Sequence, residues 1–556
     1  MSAVNEWRSF SPETAVAGIA PSGTDLSGEA SGKTSGERSV RVRSAVVAAS
    51  GSDATANTPL PELLAATTRA LAEGDLPRAG ALANQAMTLA PQSADAHHLM
   101  SLVAQRAGKP PLAIALAEKA ISLDPDHLLS LFNLGNIRLQ QQQFGEAEPL
   151  FQRILALDPA NPGALINLAN IRFHGGRHQE AIGYYRRALL ADPAQPTAYY
   201  NLGVISQEYG RHDDALAFFD QGLRLQPDSA NLHTAKAFSH LMLGDFAQGW
   251  KEYEWRWQID GRAPRICPRP RWDGTPLEGK RIYLYTEQGF GDALQFARFA
   301  PMVRERGGRP FLECKPEMLA LFASSDLAEV VTARGEGDSD PPPFDYDCHL
   351  PLMSLPGLLG ITPESLPGPL PYLKPTAAIR DKWRQRLANL PGLKVGIAWS
   401  GNPQQMANRF RACRLALMAP LFEIPGIHFL SLQKGPPAKE LVGLTTPPSD
   451  RSILDMGEEL TDFAETAGLL SELDLLISTD TAVIHLAGGV GCRTWTLLHT
   501  ASEWRWLQHR SDSPWYPTMR LYRQERPRDW PGVIARVRAD LEAWAYTRAE
   551  EKPPKD

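Results

Sequence analysis

The chain has 556 residues, 43% of them hydrophobic and 22% charged, and a formal net charge of -6 at pH 7. This length predicts two or three globular domains, and the acidic balance argues against a general nucleic-acid-binding protein. The five cysteines are scattered without a CxxC pair, which favours a reducing compartment over a disulfide framework or a structural zinc site. No apolar run approaches the roughly 18 residues of a membrane span, and the N-terminus lacks a signal-peptide pattern. We therefore expect a cytoplasmic protein without a membrane span.

The N-terminal segment, residues 1–57, is rich in Ser, Ala, Gly and Thr and has few large apolar residues. A segment of this composition cannot bury enough apolar surface to offset its chain entropy, so we predict that it is disordered. The folded part of the chain is expected to begin near residue 58.

Residues 58–260 contain an internal repeat with a period of 34 residues. Proline recurs at this spacing at Pro91, Pro125, Pro159, Pro193 and Pro227. Small residues recur in phase at Ala79, Ala113, Ala147, Ala181 and Ala215. Two antiparallel helices per repeat need a small residue where they cross and a stop where the second helix ends, and alanine and proline meet these needs. The pattern resembles the tetratricopeptide repeat and implies an α-solenoid.

Stacked repeats of this kind form an extended, concave surface. Asn133, Asn167 and Asn201 share one repeat position on the first helix. These asparagines are candidates for hydrogen bonds to the backbone of an extended polypeptide. The alternative is that each one contacts the neighbouring repeat. The solenoid therefore predicts a protein partner, with these three residues as candidate contacts.

From residue 261 the pattern changes to alternating strands and helices. Such alternation predicts parallel sheets covered by helices. Two series, 261–380 and 381–548, predict two Rossmann-like halves with a ligand cleft between them, and the second series closes with a terminal helix. Because open α/β sheets bind ligands at the carboxyl ends of their strands, the residues at those ends are the candidate site.

In the first half, a glycine-rich turn follows the predicted strand RIYLYTEQ. It contains Gln288, Gly289 and Gly291, and Asp292 begins the next helix. The glycines let the backbone approach a ligand closely. Asp292 is either a plain helix cap or a general base that deprotonates an acceptor hydroxyl.

In the second half, two segments offer positive charge at strand ends. Trp399, Gly401 and Asn402 follow the strand KVGIA, and Arg411 lies in the basic loop that comes next, which suits an anionic phosphate. Lys434 follows the strand HFLSL, where a lysine is able to neutralise a leaving diphosphate. The alternatives are a solvated basic loop and an ordinary surface lysine.

A third segment of the second half has the strand LDLLIS running directly into the helix AVIHLAGGVG. The turn and the first helical turn hold Asp480, Thr481, Ala482 and His485. The free N–H groups and the positive dipole end of such a helix favour a phosphate or diphosphate. The alternative is an ordinary βα unit with Asp480 as an N-cap.

Five segments together carry a family resemblance: EQGFGDALQFARFAP, VGIAWSGNP, FLSLQKG, ISTDTAVIHLAGGVG and WRWLQHRSDSPWYP. They resemble the bacterial proteins that join tetratricopeptide repeats to a glycosyltransferase family 9, heptosyltransferase-like domain. The resemblance implies a GT-B fold and inverting, metal-independent transfer from a nucleotide sugar, without a further cofactor. It assigns Asp292 to the acceptor side, and Lys434, Asp480, Thr481 and His485 to the donor side.

One loop departs from the pattern of that family. After GNP, relatives tend to have a histidine, an acidic residue and an Arg-Ser pair, whereas this chain has Gln405, Asn408 and Arg411-Ala412 at the matching places. The departure leaves open which sugar the donor carries.

The leading hypothesis is a glycosyltransferase that modifies Ser or Thr hydroxyls of a protein acceptor, with flagellin as one candidate, captured by the solenoid. A second hypothesis keeps the chemistry and has a lipopolysaccharide or another glycan as acceptor. A third is a repeat adaptor whose transferase domain no longer turns over. Retention of Asp292, Lys434, Asp480 and His485 argues against the third hypothesis.

Overall fold

The computed structural model describes residues 58–259, 261, 265–335, 342–366, 370–405, 408–443 and 453–551. The disorder predicted for residues 1–57 lies outside these ranges. The described residues divide into two compact units, which meet in sequence between Ala198 and Tyr199.

The first unit consists of consecutive helices joined by short turns. Its complete helices are α1 (Leu60–Ala72), α2 (Leu76–Leu89), α3 (Ala94–Arg106), α4 (Pro110–Leu123), α5 (Leu128–Gln140), α6 (Phe144–Leu157), α7 (Pro162–His174) and α8 (His178–Ala191). The in-phase alanines Ala79, Ala113 and Ala147 have no exposed surface. A Cβ atom at Gly135 would lie 2.6 Å from the Phe151 ring, so the helices cross where the side chain is smallest. The predicted α-solenoid is confirmed.

Two of the repeated asparagines donate their side-chain N–H groups within the solenoid. Asn133 Nδ2 donates to Ser101 Oγ at 2.9 Å and Asn167 Nδ2 donates to Asn136 Oδ1 at 2.9 Å. Asn201, in the second unit, is also buried. A buried amide needs hydrogen-bond partners inside the protein, and at Asn133 and Asn167 a partner comes from the preceding repeat. For these two residues the structure favours the alternative, a contact with the neighbouring repeat, and the polypeptide-facing role stays a prediction.

The second unit begins with the last helices of the repeat region. They are α9 (Pro196–Glu208), which spans the division, α10 (His212–Leu225), α11 (Ala230–Leu243) and α12 (Phe246–Tyr253), followed by a 3-10 turn at Glu254–Gln258. The sequence places the end of the helical region near residue 260. In the structure the helices from α10 onwards share one compact unit with the α/β part.

An aromatic cluster joins these helices to the α/β part. Its ring pairs include Phe246 with Trp515 at 5.7 Å, Trp250 with Trp504 at 5.3 Å and Trp250 with Phe296 at 5.9 Å between centroids. All five side chains are buried. Large aromatic rings in edge and stacked contacts add packing energy beyond their buried area, so the cluster fixes helix α12 on the α/β part.

The α/β part has two sheets whose neighbouring strands are all parallel. The first has strands β1 (Arg281–Tyr285), β2 (Arg309–Cys314), β3 (Val330–Ala333) and β4 (Cys348–Pro351), in the order β3-β2-β1-β4. The second has strands β5 (Leu393–Ala398), β6 (Ile427–Ser431), β7 (Leu454–Asp455), β8 (Leu475–Thr479), β9 (Thr494–Leu498) and β10 (Met519–Arg523), in the order β10-β9-β8-β5-β6-β7.

Helices connect and cover the strands. They are α13 (Phe290–Phe296), α14 (Met302–Glu305), α15 (Leu319–Ala323), α16 (Leu355–Leu359), α17 (Ala377–Leu387), α18 (Asn408–Arg411), α19 (Phe463–Ser471), α20 (Ala482–Val490) and α21 (Trp530–Glu551). This alternation confirms the predicted α/β organisation. Among the described helices, none is both long and apolar enough to cross a membrane.

The strand orders locate the places where a ligand would bind. In each sheet the chain starts at a central strand, moves to one side and then returns to the other side. The order therefore reverses between β1 and β4 in the first sheet and between β5 and β8 in the second. Crevices form at such reversals, outside the carboxyl ends of the strands. The segments that follow β1, β5 and β8 are three of the four that the sequence singles out, and the fourth, with Lys434, follows β6.

The aromatic cluster leads to a stability prediction. Phe246 is 1% exposed, and we expect Phe246→Ala to lower the free energy of unfolding by about 3–5 kcal/mol, because a large cavity would remain. Urea denaturation followed by tryptophan fluorescence measures the change. The control is Tyr546→Ala, at a residue that is 68% exposed, where a change within about 0.5 kcal/mol is expected. Equal effects of the two substitutions would contradict the role given to the cluster.

Candidate functional site

The N-terminal turns of α13 and α20 meet where the two sheets face each other. A Cβ atom at Gly291 would lie 3.0 Å from His485 Cδ2 and 3.7 Å from Ala482 Cα. Only a residue without a side chain allows this approach without displacing the histidine. The loop after β1 and the loop after β8 are therefore brought together, as the predicted cleft requires.

Asp292 lies at this meeting point in a buried ion-pair network. Its Oδ2 accepts a hydrogen bond from the Gly289 N–H at 3.1 Å, and its Oδ1 accepts one from the Arg505 guanidinium. Arg505 also donates to Glu503 and to the side-chain oxygen of Gln295. Asp292 thus caps the first turn of α13, which is the structural alternative, and is at the same time held by a charged group of the other half.

Burial raises the pKa values of two acids near Arg505, Glu503 and Asp480. It raises the pKa of Glu503 to about 7, while the Arg505 guanidinium acts in the opposite direction. Burial also raises the pKa of Asp480, against the opposing effect of Arg411. Asp480 Oδ2 accepts a hydrogen bond from the Trp506 indole at 3.0 Å. Desolvation therefore disfavours the charged forms of Glu503 and Asp480, the two carboxyls near Asp292, and raises their pKa values.

The segment Glu503–Trp506 contacts Asp292, Asp480 and His485. No role in the site was predicted for this segment from the sequence. The motif WRWLQHR was a usable signal in the sequence, because a lone arginine between two tryptophans indicates a buried cation. The Arg505 guanidinium lies 4.4 Å from the Trp504 ring centroid. Leu507 then adopts a φ of 48°, which a non-glycine residue rarely does. Its carbonyl and that of Trp506 accept hydrogen bonds from Arg523.

His485 is held by two aromatic neighbours. Its Nδ1 lies 3.1 Å from the Tyr516 hydroxyl, and its ring stacks on Trp506 with centroids 5.5 Å apart and planes inclined by 19°. Burial lowers the pKa of His485 well below its ordinary value, and Arg505, Arg298 and Arg411 act in the same direction. The imidazole is therefore neutral at physiological pH.

The loop after β5 is shaped by Gln433. Its side-chain oxygen accepts from the N–H groups of Trp399 and Ser400 at 3.0 and 2.9 Å, and its amide donates to the Ser400 carbonyl at 2.9 Å. The Trp399 side chain lies in the apolar core of the second sheet, with no exposed surface. Trp399 therefore shapes this loop through its backbone, whereas Asn402 is exposed.

Arg411 lies against Gly401. A Cβ atom at Gly401 would be 2.8 Å from Arg411 Nη2, and Nη2 donates to Gln405 Oε1 at 2.8 Å. Arg411 is 8% exposed, and its Nε has no hydrogen-bond partner among the described residues. Asn408 accepts from the Gly401 N–H at 2.8 Å. Two of the residues that depart from the family pattern, Gln405 and Asn408, thus position this arginine and its glycine.

The remaining donor-side residues differ in setting. Thr481 precedes α20, and its side chain makes no cap hydrogen bond to the first N–H groups of that helix. Ala482 is half-buried beside Gly291. Lys434 is exposed and donates its ammonium to the Leu460 carbonyl. Within the described residues, no hydrogen bond or ion pair joins Lys434 to Arg411 or Asp480.

Comparison with known families identifies the helical region. One family model described as tetratricopeptide repeat matches residues 98–162 and 132–196, and another with the same description matches 173–237. These residues are tetratricopeptide repeats. The tetratricopeptide repeats extend from the first compact unit into the second, where their last helices pack on the α/β part.

One curated relative matches a longer stretch. Protein FlbA of Caulobacter vibrioides is 30% identical over 335 residues, which cover 57% of this chain and 56% of that protein. The chain therefore spans about half the length of the curated relative that it matches.

Solved structures share shorter likenesses with the chain. PilF of Pseudomonas aeruginosa is 18% identical, over 36% of this chain and 91% of that one, with a TM-score of 0.34. PilW, described as a type IV pilus biogenesis factor, is 22% identical, over 37% of this chain and 94% of that one, with a TM-score of 0.33. At these TM-scores the likenesses carry no argument about the function of this chain.

The raised pKa of Glu503 leads to a prediction of pH-dependent stability. Its pKa rises from an ordinary 4.5 to about 7, so between these values the folded chain binds this proton more tightly than the unfolded chain. Glu503 therefore lowers stability as pH rises through this range, and its effect levels off above about pH 7. Glu503→Gln keeps an acceptor for Arg505 and removes the titration. We expect its advantage in unfolding free energy over the wild type to grow from about pH 5 to about pH 8.

Urea denaturation at the two pH values measures this advantage. Glu459→Gln, which changes a partly exposed residue paired with Arg386, is the matched control and should leave the pH dependence as it is. Parallel pH curves for Glu503→Gln and the wild type would contradict the raised pKa.

Proposed function

We propose that this chain is a glycosyltransferase that moves a sugar from a nucleotide sugar to Ser or Thr hydroxyls of a protein acceptor. The observation that carries the proposal is the convergence of two strand-end loops at Gly291 and His485. One loop brings a buried carboxylate, Asp292. The other brings the N-terminus of helix α20, which has no side-chain cap, and the buried Arg411 acts electrostatically on Asp480 in the turn before this helix. This pairing suits a reaction between a hydroxyl and an anionic leaving group.

The donor side would hold the diphosphate. The first N–H groups of α20 and the guanidinium of Arg411 would bind its oxygens, and Lys434 would add charge from the edge of the site. These groups supply the charge that a metal ion would otherwise provide. The two parallel sheets support an α/β domain, and we propose for it the GT-B fold and a transfer that uses no essential metal and no cofactor besides the nucleotide-sugar donor.

The acceptor side would activate the hydroxyl. Asp292 would take the proton as the hydroxyl oxygen bonds to the anomeric carbon and the bond from that carbon to the phosphate oxygen breaks, with inversion. Each oxygen of Asp292 already accepts one hydrogen bond. A carboxylate offers about four lone-pair sites, and the substrate hydroxyl would donate to one of them.

Contacts within the second unit favour a protein acceptor. The last repeat helix touches the acceptor loop directly, because Gln288 Nε2 donates to the Tyr253 hydroxyl at 2.9 Å. Next to it, Arg256 forms an ion pair with Glu287 at 3.0 Å. A polypeptide held by the final repeats would therefore lie close to the loop of Asp292. Flagellin is one candidate acceptor among bacterial surface proteins.

Replacing the proposed base should abolish transfer. We expect Asp292→Asn to reduce the rate about 10²- to 10⁴-fold, since the amide keeps the shape of the carboxylate but takes up no proton. Mass spectrometry of candidate acceptors, from cells with the wild type, with the variant and without the chain, measures the modification. A variant that is folded and fully active would exclude Asp292 as the base. An altered surface polysaccharide with unmodified proteins would favour the glycan acceptor instead.

The phosphate pocket makes a separate prediction about binding. Arg411→Gln should weaken the affinity for nucleoside diphosphates about ten- to a hundred-fold, because a charged hydrogen bond is lost from a buried place. Lys434→Ala should weaken it less, since its ammonium is exposed. Calorimetric titration with a panel of nucleoside diphosphates provides the values, and Arg384→Gln, at an exposed residue of α17, is the control. Unchanged affinity in both variants would move the pocket elsewhere.

A second candidate function is a repeat adaptor without turnover. The observation in its favour is that each oxygen of Asp292 accepts a hydrogen bond within the protein, from Gly289 and from Arg505, as in a structural carboxylate. If the repeats bind a protein but no sugar is transferred to it from any nucleotide sugar tested, the adaptor function is favoured. Transfer that is lost in Asp292→Asn would decide against it.

A further inference from the structure

The hydroxyl of Tyr516 has a defined position behind His485. It lies 3.1 Å from His485 Nδ1. Gly291 is on the other side of the imidazole, since a Cβ atom at this glycine would lie nearest to Cδ2 and Nε2. Tyr516 has no exposed surface and His485 has 5%. Water therefore does not compete for this hydrogen bond, and the proton between the two atoms belongs to one of them.

A neighbouring cation decides on which atom that proton lies. The guanidinium of Arg298 is buried and lies 4.6 Å from the ring centroids of both Tyr516 and Tyr372. It donates to the Tyr372 hydroxyl at 3.2 Å and to the Trp515 carbonyl at 2.8 Å. Within the described residues, Arg298 forms no ion pair with a carboxylate. A guanidinium has only donors, so the phenol oxygens facing it act as acceptors on that side.

The phenol protons then have one favourable arrangement. The Tyr372 hydroxyl donates to the Leu294 carbonyl at 2.9 Å. The Tyr516 hydroxyl has the imidazole nitrogen as its best acceptor, because an imidazole nitrogen is more basic than the phenol oxygen of Tyr372, which already accepts from Arg298. Donation in the opposite direction, from Nδ1–H to Tyr516, would leave the Tyr516 proton with the weaker acceptor, the Tyr372 oxygen that already accepts from Arg298.

We infer that Tyr516 is a positioning residue that fixes His485 as the neutral tautomer protonated at Nε2, so that Nε2–H donates to a phosphate oxygen of a ligand at the N-terminus of α20. The chemical class of the ligand rests on the proposed function. The tautomer itself does not.

The Nε2–H group of His485 lies where the two helix termini meet. Nε2 lies 3.6 Å from the place that a Cβ atom at Gly291 would occupy, at the meeting point of the two helix termini, and the stack on Trp506 fixes the plane of the ring. No hydrogen bond within the described residues uses Nε2. Arg505, Arg298 and Arg411 face the imidazole from three elements and oppose its protonation, and Asp480 is held by Trp506. The ligand would thus receive charge from Arg411 and a neutral donor from His485.

The test is ¹⁵N NMR of the full-length chain labelled at the histidine rings. The chain has 13 histidines, and His485→Gln identifies the signal of interest by its disappearance. We expect a neutral ring near pH 7 with the proton on Nε2 and none on Nδ1. Titration with inorganic pyrophosphate should then shift the Nε2 resonance. A wild-type proton on Nδ1 would overturn the inference.

Two variants separate positioning from simple packing. Tyr516→Phe removes one hydroxyl and should give a mixture of tautomers and a pyrophosphate affinity about ten-fold weaker. Tyr372→Phe removes a hydroxyl from the same cluster without touching His485, and it should keep both the tautomer and the affinity. Wild-type behaviour of Tyr516→Phe would overturn the positioning role.

The remaining outcomes also test the ligand role of His485 and its tautomer. If pyrophosphate leaves the Nε2 resonance unmoved, the ligand role of His485 is wrong even where the tautomer is found. If Tyr516→Phe does not fold, the wild-type spectrum and its pyrophosphate titration settle both parts. Because none of these readouts needs sugar transfer, failure of the proposed activity would be seen separately, as unmodified acceptors alongside an intact tautomer.

Discussion

The buried ion pair between Arg505 and Asp292 is the interaction on which the site depends. It joins the helix that follows β1 to the turn that follows β9, so it holds the two sheets in one arrangement. Both side chains are almost fully buried. Removing one partner of such a pair leaves a charge without compensation, at a cost of about 3–5 kcal/mol. Glu503 shares the same guanidinium, and burial raises the pKa of Glu503 against the opposing effect of this cation.

The second constraint is the aromatic contact between the last repeat helix and the α/β part. Because Trp250 packs against Trp504, the residue just before Arg505, the cluster and the ion pair support the same turn. Tyr253, one helical turn further along, reaches Gln288 in the acceptor loop. A change in how the final repeats hold a partner would therefore act on the loop of Asp292 through short, buried contacts. This gives a physical route from the repeats to the candidate base.

On the donor side, the positive charge and the neutral hydrogen-bond donor come from different residues. Arg411 supplies a full positive charge against Gly401, the N-terminus of α20 supplies a partial one, and His485 remains neutral because it is buried among guanidinium groups. A neutral imidazole acts on a ligand through the placement of one proton. The surroundings of Tyr516 and Arg298 determine that placement, so residues outside the loops at the strand ends contribute to the chemistry of the site.

The sequence by itself determined the local features. The in-phase alanines and prolines specify helical hairpins, because crossing helices require small residues at fixed spacing. The alternation after residue 261 specifies parallel sheets, and the turns at Gly291 and Asp480 lie at strand ends for the same reason. Only the tertiary structure decided that the amides of Asn133 and Asn167 bond to the preceding repeat, that the Trp399 indole lies in the core, and that Arg505 pairs with Asp292. That pair joins residues 213 positions apart, and a contact of this range depends on how two sheets and a helical region pack together, which no local pattern encodes.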